Sequence, residues 1–194
     1  MPKKTLVVLG HPRPDSFNAA LADAYARGVS AAGGEVRRIS PSELDFEVSV
    51  RGTSAKDQPV EDDIVRSREA IEWCEHLAIV HPTWWGSTPA ILKGWIDRVF
   101  VSNWAFRYPE NSKLWEGLLK GRSARVITTM DSPPMIYQTV FGGPGVRQLK
   151  TSTLWFCGFK PVKTTLFGPI GDSTEAKRRG WLERVTGEGG RDAS

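Results

Sequence analysis

The sequence predicts a single doubly wound α/β domain on a five-stranded parallel sheet, strand order 2-1-3-4-5. Three observations lead there. Short apolar runs rich in β-branched residues show no polar alternation, the pattern of strands buried on both faces. Each run is followed by a segment with helical spacing, so strand and helix alternate five times. No repeat, low-complexity linker or compositional break divides the 194 residues, a length suited to one domain.

The first strand is residues 5–9, a continuous apolar run after Thr5. From Phe17 the period changes: Phe17, Leu21, Ala24, Tyr25 and Gly28 recur at helical spacing, and Gly33 with Gly34 stops the helix. Residues 35–39 are the second strand, and residues 42–60 read as an irregular connection. Residues 61–75 read as a helix with Ile64, Ile71 and Cys74 on one face. Leu77, Ala78, Ile79 and Val80 form the third strand, and residues 89–101 a helix with Pro89 in its first turn. Residues 125–129 are the fourth strand, residues 146–156 a helix ending near Gly158, and residues 162–166 the fifth strand. The last helix is expected to start at Asp172, paired with Glu175 in a capping-box-like arrangement. Right-handed crossovers then place helices on both faces of a flavodoxin-like sheet. The domain is expected to span residues 1–186, with residues 187–194 as a disordered tail.

Composition sets the class. Hydrophobic residues make up 40% and charged residues 25%, as in an ordinary globular protein, and no apolar run nears the roughly 20 residues that cross a bilayer. The run at residues 6–9 is too short for a signal-peptide core, so a cytoplasmic protein is expected. Cys74 and Cys157, each within a predicted helix, fit buried free thiols better than a disulfide. Three histidines without ligand-like spacing argue against a metal site. The net charge of +4 and pI near 9.2 raise the question of nucleic acid. Yet the 26 basic residues are scattered, and Lys177, Arg178 and Arg179 form the one run of three. No nucleic-acid partner is expected; the same charge would draw in the phosphates of a nucleotide.

In a sheet of this kind ligands lie beyond the carboxyl ends of the strands, where strand order reverses. Three loops should converge there. The first runs from Gly10 to Asn18 and leads from strand into helix, so backbone N–H groups and the helix dipole face an anion such as phosphate. Ser16 and Asn18 add side-chain hydrogen bonds and Arg13 adds charge, while plain capping by Asp15 or Ser16 explains the segment equally simply. It lacks both the Walker ending and a GxGxxG. The second runs from His81 to Pro89. Its adjacent Trp84 and Trp85 are costly to leave wet, and at least one is expected to line a pocket and stack on a planar ligand. The third runs from Thr128 to Tyr137, where backbone amides beside small hydroxyl residues suit the edge of a heteroaromatic ring.

Together these segments resemble the NAD(P)H:quinone oxidoreductases of the flavodoxin-like superfamily. The stretch from His11 through Ser16, Phe17, Asn18 and Leu21 is similar to that family's flavin-phosphate loop. Pro82, Thr83, Trp84 and Trp85, followed by the run from Pro89 to Phe100, form the most specific match. Thr128 and Thr129 match its second ring loop, and the regions around Phe156–Phe159 and Trp181 match its last helices, so the resemblance covers residues 4–185.

The resemblance implies bound FMN or FAD, NAD(P)H as co-substrate, and two-electron ping-pong transfer to a small-molecule electron acceptor such as a quinone. It also implies a homodimer with the active site near the subunit interface. His11, Ser16, Phe17, Asn18, Pro82, Thr83, Trp84, Trp85, Thr128, Thr129, Met130 and Asp131 would hold the flavin, and Tyr137 would act in catalysis beside the ring. Two departures stand out. Met130 and Asp131 replace two glycines of the larger animal members, and Gly143 stands where those members carry a site histidine. Their C-terminal extension, which supports the adenine end of FAD, is also absent, so FMN is favoured. The rival expectation is a flavin-binding regulatory subunit of a membrane potassium-efflux system, with a transporter as partner. A one-electron carrier of flavodoxin type fits poorly with a basic chain.

Overall fold

The computed structural model describes residues 3–110, 112 and 114–194; the first two residues of the expected domain lie outside them. In chain order the main elements are β1 (Lys4–Leu9), α1 (Phe17–Ala31), β2 (Glu35–Ile39), α2 (Asp62–Trp73), β3 (His76–Pro82) and α3 (Ala90–Val99). Then come β4 (Phe106–Arg107), β5 (Glu116–Gly117), β6 (Ser123–Thr129), α4 (Pro134–Thr139), α5 (Pro144–Arg147), β7 (Val162–Phe167) and α6 (Glu175–Ala193). The main sheet runs β2-β1-β3-β6-β7 with every pairing parallel. The short antiparallel hairpin of β4 and β5 stands apart from it. Without that hairpin the order is the expected 2-1-3-4-5. Among the described residues no helix is long and apolar enough to cross a membrane.

The unbroken apolar strands follow from burial on both faces. In β1, Leu6 and Val8 face a layer with Ile71 of α2 and Trp95 of α3. Val7 and Leu9 face the opposite layer with Leu21 of α1 and Val185 of α6. Gly94 lets the irregular connection lie directly on α3, since a Cβ there would sit 2.7 Å from the Val48 carbonyl oxygen.

Several element ends differ from expectation. The second helix stops at Trp73 because Glu75 has already joined the sheet edge, its N–H donating to the Lys4 carbonyl at 2.8 Å. Cys74 is therefore a helix cap and His76 opens β3. The helix expected over residues 146–156 is α5 running into a wider π-helical segment, Gln148–Trp155. The last helix starts later than Asp172: Thr174 is its cap, accepting from the Lys177 N–H at 3.2 Å. Both cysteines are free and buried, and burial pushes each thiol up to about 12.

The expected disordered tail is instead the last turns of α6. Its glycines reflect close approach: a Cβ on Gly189 would meet the Tyr25 carbonyl oxygen at 2.3 Å, and one on Gly28 the Thr186 carbonyl oxygen at 1.9 Å. Two charges hold that end down. Arg125 donates to both oxygens of Asp192, at 2.5 and 3.2 Å, and pairs with Glu188 at 3.2 Å. Tyr25 donates to Asp192 at 2.8 Å and Lys163 donates at 2.9 Å. Burial alone would raise the Asp192 carboxyl, but the bonds from Arg125 and Lys163 outweigh it and hold the group well below the usual carboxylate range.

Candidate functional site

Where β1 ends, the Gly10 N–H still donates to the Val80 carbonyl at 2.7 Å before the chain leaves the sheet. A Cβ at Gly10 would lie 2.5 Å from the Leu92 side chain, so glycine is what lets the loop turn here. Ser16 caps α1, its Oγ accepting from the Ala19 N–H at 3.2 Å. The N–H groups of Phe17 and Asn18, at the first turn, have no acceptor within the helix. The capping reading and the anion-facing geometry thus coexist. Asn18 is turned toward the fourth-strand loop, its amide donating to Thr129 Oγ1 at 3.0 Å.

His11 Nδ1 accepts from the Arg13 N–H at 2.9 Å, which leaves the proton of the neutral ring on Nε2. Burial, aided by Arg13, lowers its pKa and favours that neutral form. The ring meets Trp84 edge-on, with centroids 5.6 Å apart. His11, Arg13, Ser16, Phe17, Asn18, Pro82, Thr83, Trp84, Thr129, Met130, Asp131 and Ile170 enclose a cavity of about 200 Å³.

The β3 loop is tied to β6 by two bonds, Thr83 N–H to the Thr129 carbonyl at 2.7 Å and Thr83 Oγ1 to Thr128 Oγ1 at 2.8 Å. Residues 84–87 then close a tight turn, with paired 2.9 Å bonds between Trp84 and Ser87. Trp85 and Gly86 at its tip have φ of +50° and +76°, the two left-handed residues of a type I′ turn. This geometry sends the two tryptophans different ways. Trp84 lines the first cavity, whereas Trp85, its side chain in full contact with solvent, lines a second.

The second cavity, about 490 Å³, is walled by Trp85, Gly86, Ser132, Tyr137, Phe141 and Pro144, and shares Thr83, Met130 and Asp131 with the first. Tyr137 is buried, and its hydroxyl donates to the Gly86 carbonyl at 3.0 Å while accepting from the N–H groups of Gly145 and Val146 at 3.0 and 3.3 Å. One donor and two acceptor positions are thereby filled. Tyr137, expected to act in catalysis, lines this cavity with its ring while its hydroxyl bonds backbone. Gly143 lies where the resemblance put it, a Cβ there falling 3.7 Å from the Tyr137 ring, with φ of +56°.

The three expected loops do converge. Thr128 is the exception among the expected residues, since it is wholly buried, bonds Thr83 and lines neither cavity. The sequence reading missed Ile170, Phe141 and Pro144. Ile170 follows β7, whose carboxyl end opens on the same side as the other strands, so sheet topology could have pointed to it. Arg178 fixes that turn by donating to the Ile170 carbonyl at 3.0 Å and to Ser173 Oγ at 2.8 Å.

Comparison with known proteins places the chain. A family model described as a flavodoxin-like fold matches residues 3–186. Ribosyldihydronicotinamide dehydrogenase [quinone] of Homo sapiens is 28% identical over 211 aligned positions, covering 94% of this chain and 90% of the relative. The crystal structure of Smu.1420 from Streptococcus mutans UA159 superposes with a TM-score of 0.85 at 30% identity, covering 97% and 99% of the two chains. An FMN-dependent NADH-azoreductase from Bacillus anthracis, solved in complex with FMN, shares the fold with a TM-score of 0.74 at 17% identity, covering 98% and 99%. The chain belongs to the flavodoxin-like fold family, and a quinone-reducing dehydrogenase is among its relatives.

Proposed function

We propose that this chain is a flavin-dependent NAD(P)H oxidoreductase that reduces a quinone or a similar small aromatic acceptor. The observation that carries the reading is the joining of two unlike cavities through Thr83, Met130 and Asp131. One end offers donors to an anion: the Phe17 and Asn18 N–H groups, His11 Nε2–H and the Arg13 guanidinium. The other end is aromatic, with Trp85, Tyr137 and Phe141. A molecule with a phosphate at one end and a planar ring at the other fits that sequence of environments.

When bound, the flavin supplies two-electron transfer chemistry. The net reaction takes NAD(P)H, a quinone and one proton to NAD(P)⁺ and the hydroquinone. The protein's part is placement. The β1 loop would hold the phosphate, and the Thr83 bonds to Thr128 and Thr129 brace the loop that would carry the ring. Trp85 and Phe141 line the cavity in which donor and acceptor would take turns. FMN is favoured over FAD because the anion end, about 200 Å³, has space for a phosphate and its chain. Exposed Trp85 and Phe141 of the second cavity, with exposed Met135 and Val140 on α4 and at its end, support a homodimer that covers them. A cytoplasmic setting fits NAD(P)H as the electron donor.

The test is an absorbance spectrum of the purified protein, mass identification of the released flavin, and steady-state turnover with NADH and NADPH. Bound FMN with quinone reduction is expected. A colourless protein with no saturable flavin binding overturns the proposal. Tight flavin binding without turnover would favour the regulatory-subunit reading.

A further inference from the structure

Asp131 lines both cavities, Arg13 lines the first alone, and among the described residues Asp131 is the one charged residue lining the second. The other walls there are aromatic or uncharged. Its carboxylate accepts a long bond from the Gly171 N–H at 3.3 Å, and the described residues place no lysine or arginine against it. An aromatic enclosure with an unneutralised carboxylate is chemically a receptor for positive charge. Ring faces attract cations through their quadrupoles, and the carboxylate adds a direct Coulomb attraction that grows once a planar ligand displaces water.

Resting on the proposed function, we infer that the second cavity selects acceptors by charge, preferring cationic and neutral planar acceptors over anionic ones, with Asp131 as the specificity-determining residue. The protein as a whole pulls the other way. A chain of net charge +4 would by its overall field favour anions. Long-range attraction is screened within about 8 Å at physiological salt, whereas Asp131 lies on the cavity wall itself. The near carboxylate therefore outweighs the distant surplus, and the preference has a sign opposite to that read from composition.

A matched naphthoquinone series tests this, with neutral, sulfonate-bearing and trimethylammonium-bearing members assayed against the purified holoprotein. The cationic member should exceed the anionic one in kcat/KM by about tenfold, as expected for one charge at contact range, and the ratio should shrink as salt rises. Asp131→Asn should collapse the ratio and Asp131→Glu should keep it. Dissociation constants of naphthalene probes carrying the same substituents, read from tryptophan quenching, should show the same order without any redox step. Equal or reversed preference in the wild type, or a ratio unchanged in Asp131→Asn, overturns the inference. Absence of flavin with the probe preference intact would instead overturn the oxidoreductase reading alone.

Discussion

The Tyr137 hydroxyl donates to the Gly86 carbonyl oxygen at 3.0 Å, and so ties α4 to the turn bearing Trp85. The same oxygen accepts from Gly145 and Val146, and Gly145 also donates to Gly86 at 2.8 Å. Removing the hydroxyl therefore leaves one direct link between the loops and strips three backbone groups of a partner. Tyr137→Phe should lower unfolding stability by about 1–2 kcal/mol, measured by urea denaturation. Reduction of bound flavin by NADPH, followed by stopped flow, should slow less than about tenfold. A loss of 100-fold or more with unchanged stability, as for a donor to developing charge, would return the hydroxyl to a catalytic role.

Asn18 links α1 to the β6 loop through Thr129, and its backbone N–H faces the anion end. Asn18→Ala should weaken FMN binding by about 1–3 kcal/mol through loss of side-chain and loop order near a charged group. Riboflavin, which lacks the phosphate, should lose less. Equilibrium titration of the apoprotein with both ligands separates the two, and equal losses would mean that the residue serves the fold alone.

The Asp192 carboxylate is surrounded by Arg125, Lys163 and Tyr25 in a buried setting. Asp192→Asn leaves Arg125 short of countercharge, and breaking such a pair costs about 3–5 kcal/mol. A chemical-denaturation midpoint unchanged from wild type would show that α6 is held by its apolar contacts with α1 instead.

Acid should act through two buried imidazoles. Burial lowers His76 and His81 from 6.5 to about 4. His76 accepts from Ser123 at 2.7 Å and faces the Tyr25 hydroxyl at 2.9 Å, while His81 donates to the Pro82 carbonyl at 2.8 Å. Between those pH values the unfolded chain takes up protons that the folded chain refuses. The cost is absent above pH 6.5, grows as pH falls from 6.5 to about 4, and reaches roughly 3 kcal/mol for each ring there. A denaturation midpoint that stays flat from pH 7.5 to 4.5 would show that neither ring is held neutral.

Strand order and the converging loops were legible because they follow from buried parallel strands, whose apolar runs leave no competing pattern. That Trp84 and Trp85 line cavities was legible from the difficulty of hiding adjacent indoles. Their division between two cavities was not, because it depends on two left-handed residues in succession, and Trp85 is a poor local signal for such a turn. The end of α6 was misread for the opposite reason. Gly187, Gly189 and Gly190 lower helix propensity, and the gain that offsets it lies in contacts with α1, far away in sequence. Tyr137 was read among the converging loops and does line the second cavity, but no sequence pattern reports that a hydroxyl is already taken by backbone.

The buried charges around Arg125 and Asp192 gather toward the amino ends of the strands, whereas both cavities open at the carboxyl ends, roughly 13 Å away over the four residues from Arg125 to Thr129. Residues separated by that distance and sharing no partners contribute to stability almost additively. Trp85, Asp131 and Phe141 can therefore be exchanged during divergence without drawing on the clamp that secures α6. Under the proposed function, acceptor preference can therefore shift while the charge cluster at the opposite pole keeps the fold intact.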